Sequence, residues 1–209
     1  MRPVLAVTIS LLVALAVPAF AADPQTAKSP NITLLLRFDS EHSDRSIEEM
    51  KRELGSIMKG TGIQLDFRMM SELDQHPTFN DLVVVKFRGH CRMELSAAPM
   101  MLDERGPLAF THTSDGDVLP FSEVACDRIR SSVSSAMWGA EDRKNGDILL
   151  GRALGRVVAH ELYHIVAKTG KHGTRGSVAQ TSLSGAELIG EKLALHDDDV
   201  HKLRPHAVE

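Results

Sequence analysis

The chain has 209 residues, a formal net charge of −4 and a quarter of its residues charged, so it carries no basic footprint for nucleic acid. Beyond an apolar start, no stretch is long and apolar enough to span a bilayer, which excludes stable membrane insertion of the mature protein. From about Ala22 onward the chain is the size of one ordinary domain, long enough for a real core.

Met1-Arg2-Pro3, the apolar run from Val4 to Val17 and the small residues of Ala19-Phe20-Ala21 read as a secretory signal peptide over residues 1–21. An uncleaved anchor is the alternative. Export implies a periplasmic or secreted protein of bacterial type. Residues 22–30 are polar with two prolines and read as a flexible leader. Ile32 to Phe38 has the β-rich composition of a buried strand. Asp44 to Lys59 carries Ile47, Met50, Leu54, Ile57 and Met58 at helical spacing, with Gly60 after the last turn. Ile63 to Met69 alternates like a half-exposed strand, and Leu82 to Arg88 is a Val-rich, central one.

Gly89 to Gly106 is irregular. Leu108 to Thr113 is a short strand, Ser114 to Asp117 a turn, and Val118 to Cys126 a strand that Pro120 assigns to an edge or an end. Asp115-Gly116-Asp117 is a turn rather than a calcium loop, since the rest of an EF-hand is missing. Asp127 to Met137 reads as a helix and Trp138 to Asp147 as a polar loop. Cys91 and Cys126 are the only cysteines. In an exported chain they suggest a disulfide worth about 3–4 kcal/mol by loop closure, with two buried thiols as the alternative. Two cysteines cannot form a Cys-based zinc site alone.

Ile148 to Lys168 shows apolar residues three or four apart and predicts an amphipathic helix. Asn145-Gly146-Asp147 precedes it, and Thr169-Gly170 supplies the stop. Late in this helix stands His160-Glu161-Leu162-Tyr163-His164, an H-E-x-x-H motif. One helical turn apart, His160 and His164 share a face and both imidazoles reach one metal ion. Glu161, about 100° round, reaches a metal-bound water without ligating the metal. Arg152, Arg156 and Lys168 read as the wet face of the helix. Tyr163 faces away from the histidines and reads as packing or surface, and His112 as an exposed side chain on its strand.

Catalytic zinc takes three protein ligands and keeps a fourth place for water. Gly170, in a left-handed conformation, lets the chain turn back and bring His172 to the pair. Glu187, in a helical segment from Gly185 to Glu191, is the alternative third ligand. The whole therefore reads as a two-layer α+β domain over residues 31–195, with a mixed sheet of about four to five strands, an early helix and an active-site helix. Residues 196–209, with the charge run Asp197 to Asp199 and His196, His201 and His206, read as a solvated polar tail rather than a loose metal site.

H-E-x-x-H with a third histidine after a glycine turn resembles the metzincin branch of the zincin metallopeptidases. The metzincin pattern H-E-x-x-H-x-x-G-x-x-H meets Ala167 at its glycine place here, and His172 comes two residues late. No methionine follows Met137, so the methionine turn beneath the zinc is absent or replaced, around Gly176-Ser177-Val178. This lengthened motif resembles a group of small exported bacterial proteins of metzincin-like type. The resemblance implies a Zn²⁺-dependent peptidase with Glu161 as general base, acting on a peptide or protein that pairs with an edge strand at Leu108 to Thr113. A zinc-stabilised binding module without turnover is the alternative, as is an accidental motif. Glu161 favours the enzyme, because a structural site needs no such carboxylate.

Overall fold

A computed structural model describes residues 31–73, 77–79, 81–93 and 106–204. The expected signal peptide and leader, His206 and most of the irregular segment after Cys91 lie outside the described residues.

Strand β1 (Asn31–Phe38) is followed by helix α1 (Asp44–Met58) and strand β2 (Gln64–Met69). Strands β3 (Asp81–Arg88), β4 (Ala109–Ser114) and β5 (Asp117–Ala125) complete one sheet in the order β2-β1-β3-β5-β4. The first four of that order run parallel, while β4 is antiparallel to β5 and closes the sheet as its edge. β3 is thus central, as its valines imply. Asp115 and Gly116, at φ 52° and 89°, make the tight β4–β5 turn.

Alternation along the strands explains the layering. Leu34 and Leu36 of β1, with Val83, Val85 and Phe87 of β3, are buried in one core with Met50 and Leu54 of α1. The same core takes Leu150, Leu154 and Val158 from helix α4 (Gly146–Val166). The helices therefore stack on one sheet face, giving the expected two-layer α+β architecture. α1 and α4 approach closely because Gly151 and Gly155 face α1. A Cβ on Gly155 would lie 2.9 Å from the Met50 carbonyl, and one on Gly151 would lie 2.6 Å from Glu49 Cβ.

Four expectations change. Pro120 does not mark an edge: β5 lies between β3 and β4. The proline is tolerated because the β4–β5 register slips between Thr111↔Ser122 and Thr113↔Val118, and pairing with β3 begins only at Phe121. No ladder partner needs the N–H that proline lacks. The polar loop after Trp138 contains a short helix, α3 (Gly139–Lys144), following α2 (Cys126–Ala136). Arg156 is fully buried rather than wet, donating to Glu53 Oε1 at 2.7 Å and to the Glu187 carbonyl at 2.5 Å. Arg152 likewise donates to the Ile189 carbonyl at 2.6 Å. Both serve helix α5 (Gly185–Ile189), whose last carbonyls have no partner inside so short a helix.

The fourth change concerns the tail. Asp197–Leu203 forms helix α6 and packs back, with Asp199 and Leu203 buried. Asp199 accepts from the Thr174 N–H and from Lys202 Nζ, at 3.2 Å each, so this acid is a folded anchor. Cys91 and Cys126 form a disulfide with Cα atoms 5.1 Å apart, joining the end of β3 to the start of α2.

Candidate metal centre

α4 carries H-E-x-x-H in its last two turns. What ends the helix also builds the site. Lys168, not Gly170, adopts the left-handed conformation, at φ 48°. The Thr169 N–H then bonds the His164 carbonyl at 3.1 Å and the Lys168 N–H the Ile165 carbonyl at 3.4 Å, the paired bonds of a Schellman cap. This turn delivers the Thr169 carbonyl to His164 Nδ1, at 2.8 Å. It also sends the chain back so that His172 stands with its ring centroid 5.3 Å from His160 and 5.0 Å from His164.

A ligand atom from each of the three histidines lies within 4.8 Å of those of the other two. His160 Nδ1 faces the Val178 carbonyl at 2.9 Å, so both helix histidines spend their Nδ1–H on a backbone acceptor. Their Nε2 atoms, 3.2 Å apart, are then two unprotonated lone pairs facing one another. Left alone, that contact is repulsive. A tetrahedral zinc holding two imidazole nitrogens at about 2.0–2.1 Å would separate them by about 3.3 Å, so the pair fits the ion. Burial, then proximity to His164 and His172, outweighs the Val178 contact and lowers the His160 pKa to about 4. Burial and His172 likewise outweigh the Thr169 contact and lower that of His164. Both are neutral at pH 7, the form that ligates. His172 is exposed, on the open side of the cluster.

The segment beneath His160 is a tight turn. Gly176 has φ 82°, Ser177 to Ala179 are buried, and the Val178 N–H bonds the Ala194 carbonyl at 3.0 Å. Its contribution to the cluster is a main-chain carbonyl, that of Val178.

Glu161 is buried beside the cluster, and Thr111 Oγ1 of β4 donates to its Oε2 at 2.6 Å. Burial pushes its pKa up, and the Thr111 hydrogen bond holds it back, to about 7. A carboxyl poised there both accepts and returns a proton near neutrality. Thr111 has no signature in the sequence, where it is one more β-branched strand residue. The β4–β5 register turns it toward α4 and puts His112 on the other face, 3.6 Å from Glu123. Tyr163 is buried, accepting from Lys202 Nζ at 3.2 Å, which makes it packing. Glu187 is not at the centre. It closes the N-terminal cap of α5, accepting from Ser184 Oγ at 2.6 Å and from Gln180 Nε2 at 2.8 Å.

The histidines and Glu161 open onto a cleft along β4. On one side lies a hollow of about 410 Å³ lined by Pro107, Leu108, Val157 and Leu183. On the other lies one of about 220 Å³ lined by Phe110, Thr113 and Gly170.

Archaemetzincin from Methanopyrus kandleri superposes on this chain with a TM-score of 0.50 at 12% sequence identity, over 85% of this chain and 95% of that one. The fold is metzincin-like. Comparison with models of known protein families and with curated proteins gives no match. Among the described residues no helix is long and apolar enough to cross a membrane.

Proposed function

We propose that the chain is an exported zinc-dependent peptidase in which His160, His164 and His172 hold the metal and Glu161 is the general base. The observation that carries this reading is the pair of lone-pair-bearing Nε2 atoms 3.2 Å apart, with a third imidazole beside them. A zinc ion held there supplies Lewis acidity toward a scissile carbonyl and toward water. Val178 and Thr169 fix the tautomer and aim of the two helix ligands. Glu161 takes a proton on its carboxylate as water attacks and returns it to the leaving amine, while Thr111 keeps that carboxylate beside the cluster. The free edge of β4 accepts an extended peptide by main-chain hydrogen bonds, which makes peptides and proteins the substrate class. The Cys91–Cys126 disulfide agrees with an oxidising compartment reached through residues 1–21.

The test is the metal content of the purified mature chain beside His160→Ala and His172→Ala. About one zinc per chain, lost in both variants, supports the centre. Cleavage of a peptide library by the wild type and not by Glu161→Ala then supports the enzyme. Zinc retention with no cleavage of any peptide supports instead a zinc-stabilised binding module. Absence of zinc after reconstitution overturns both.

A further inference from the structure

The cleft does not end at β4. Leu108, at its start, also lines a second hollow of about 530 Å³, whose other walls include Arg128, Ser132, Ser135, Trp138 and Gly185. Two features single this hollow out. Arg128 makes one hydrogen bond, from Nη1 to the Pro107 carbonyl at 3.1 Å, and has no carboxylate partner among the described residues. Most arginines nearby are neutralised: Arg88 by Glu123, Arg130 by Asp127 and Arg156 by Glu53. Trp138, the only tryptophan of the chain, is 84% exposed at the same hollow. Among the described residues no acidic side chain lines it.

An edge strand pairs in either direction, and antiparallel pairing is the more stable per residue. A peptide laid antiparallel to this edge runs its C-terminal half from Thr113 toward Ala109 and past Leu108. The 410 Å³ hollow next to Glu161 comes first, and the Arg128 hollow lies beyond Leu108. A guanidinium with spare donors at the exit of a peptide groove matches a carboxylate, to which its planar fork binds through two parallel hydrogen bonds.

We propose that this hollow captures the C-terminal carboxylate of the bound peptide, with Arg128 as the anion-binding group and Trp138 as an aromatic wall. The substrates would then be peptides with a free C-terminus a short distance beyond the scissile bond, and the enzyme would release short C-terminal fragments. This rests on the peptidase reading for its chemistry, though not for its binding step.

Trp138 reports on the site directly, because no other tryptophan contributes. Zinc-loaded Glu161→Gln is titrated with N-acetylated alanine–leucine peptides of graded length, as free acids and as C-terminal amides, while Trp138 emission is monitored. The expected result is a saturable change for free acids above a threshold length, about tenfold weaker for the amides and for Arg128→Gln, with Arg128→Lys in between. Amides carrying a glutamate near the C-terminus separate the two carboxylate sources. If they match the free acids, the pocket reads a side chain, and C-terminal capture is overturned. Equal binding of acids and amides, or binding indifferent to Arg128→Gln in a variant that melts like the parent, overturns the inference as a whole. Peptide cleavage by the wild type is scored separately. Its absence removes the peptidase and leaves carboxylate binding to stand or fall on the Trp138 signal.

Discussion

The contact between α1 and α4 positions the helix that carries His160 and His164, and two glycine-to-alanine changes on that pair of helices should have opposite signs. At Gly151 a Cβ would meet the Ser46 carbonyl and, at 2.6 Å, Glu49 Cβ. Neither is the free end of a flexible side chain, so α1 itself has to move. Overpacking of this kind costs about 1–3 kcal/mol, and a hard clash belongs at the upper end. Alanine returns about 1 kcal/mol of helix propensity, leaving a net loss of about 2 kcal/mol. For a domain of this size that lowers the melting temperature by roughly 4–8 °C. Gly55 lies on the exposed side of α1, where a new Cβ meets nothing within 4 Å. Gly55→Ala should therefore gain about 0.5–1 kcal/mol. Thermal and urea unfolding of the two single variants, in zinc and in chelator, measures both. A Gly151→Ala protein as stable as the parent would refute the close-approach reading, whatever Gly55→Ala does.

Other changes test the site and its supports. Lys168→Gly removes the strain of a left-handed lysine at the helix end and should stabilise the metal-free protein by about 1 kcal/mol in denaturant unfolding, while zinc uptake, measured separately, matches the parent. Thr111→Val strips the hydrogen bond from Glu161 and should cost about tenfold in kcat with little change in zinc content; an unchanged kcat denies Thr111 its positioning role. Reducing Cys91–Cys126, or replacing both by serine, should cost about 3–4 kcal/mol in urea unfolding. At Asp199, burial works to raise the pKa, but hydrogen bonds from Ser177, Thr174 and Lys202 outweigh it and hold the carboxyl below its ordinary value. Its stabilising effect is then present above the unfolded pKa and is lost as pH falls through the lower, folded one. Asp199→Asn should lower the melting temperature at neutral pH, and the gap to the parent should close in acid. A gap independent of pH would remove this carboxylate from the acid response.

The regular part of this fold is legible because its signals are local. β1, α1 and β3 follow from composition and periodicity alone, and α4 from an apolar pattern over 21 residues. Legibility fails where the deciding partner is distant in sequence. Arg156 reads as part of the wet face of its helix, yet its partners are Glu53, 103 residues away, and the Glu187 carbonyl of α5. The charge run at Asp197 to Asp199 reads as a solvated end, because nothing nearby reveals that Thr174 and Ser177 wait for Asp199. Pro120 reads as an edge marker, because the slip in the β4–β5 register is a property of two strands, not one.

The candidate site shows the same division more sharply. His160, Glu161 and His164 are fixed by spacing on one helix, so the sequence names them. The return of His172 needs only some residue that turns the chain, and glycine is the cheapest choice, which points to Gly170. The chain instead uses Lys168, two residues earlier, and closes a full Schellman cap. That earlier turn is what brings the Thr169 carbonyl to His164 Nδ1. A strained lysine is therefore coupled to the orientation of His164, a candidate metal ligand. The two extra residues between His164 and His172, relative to the metzincin spacing, lengthen the loop after the cap without separating the three imidazoles. The departure from the metzincin spacing thus falls in the connection, and His160 and His164 are held by main-chain carbonyls that no sequence motif can record.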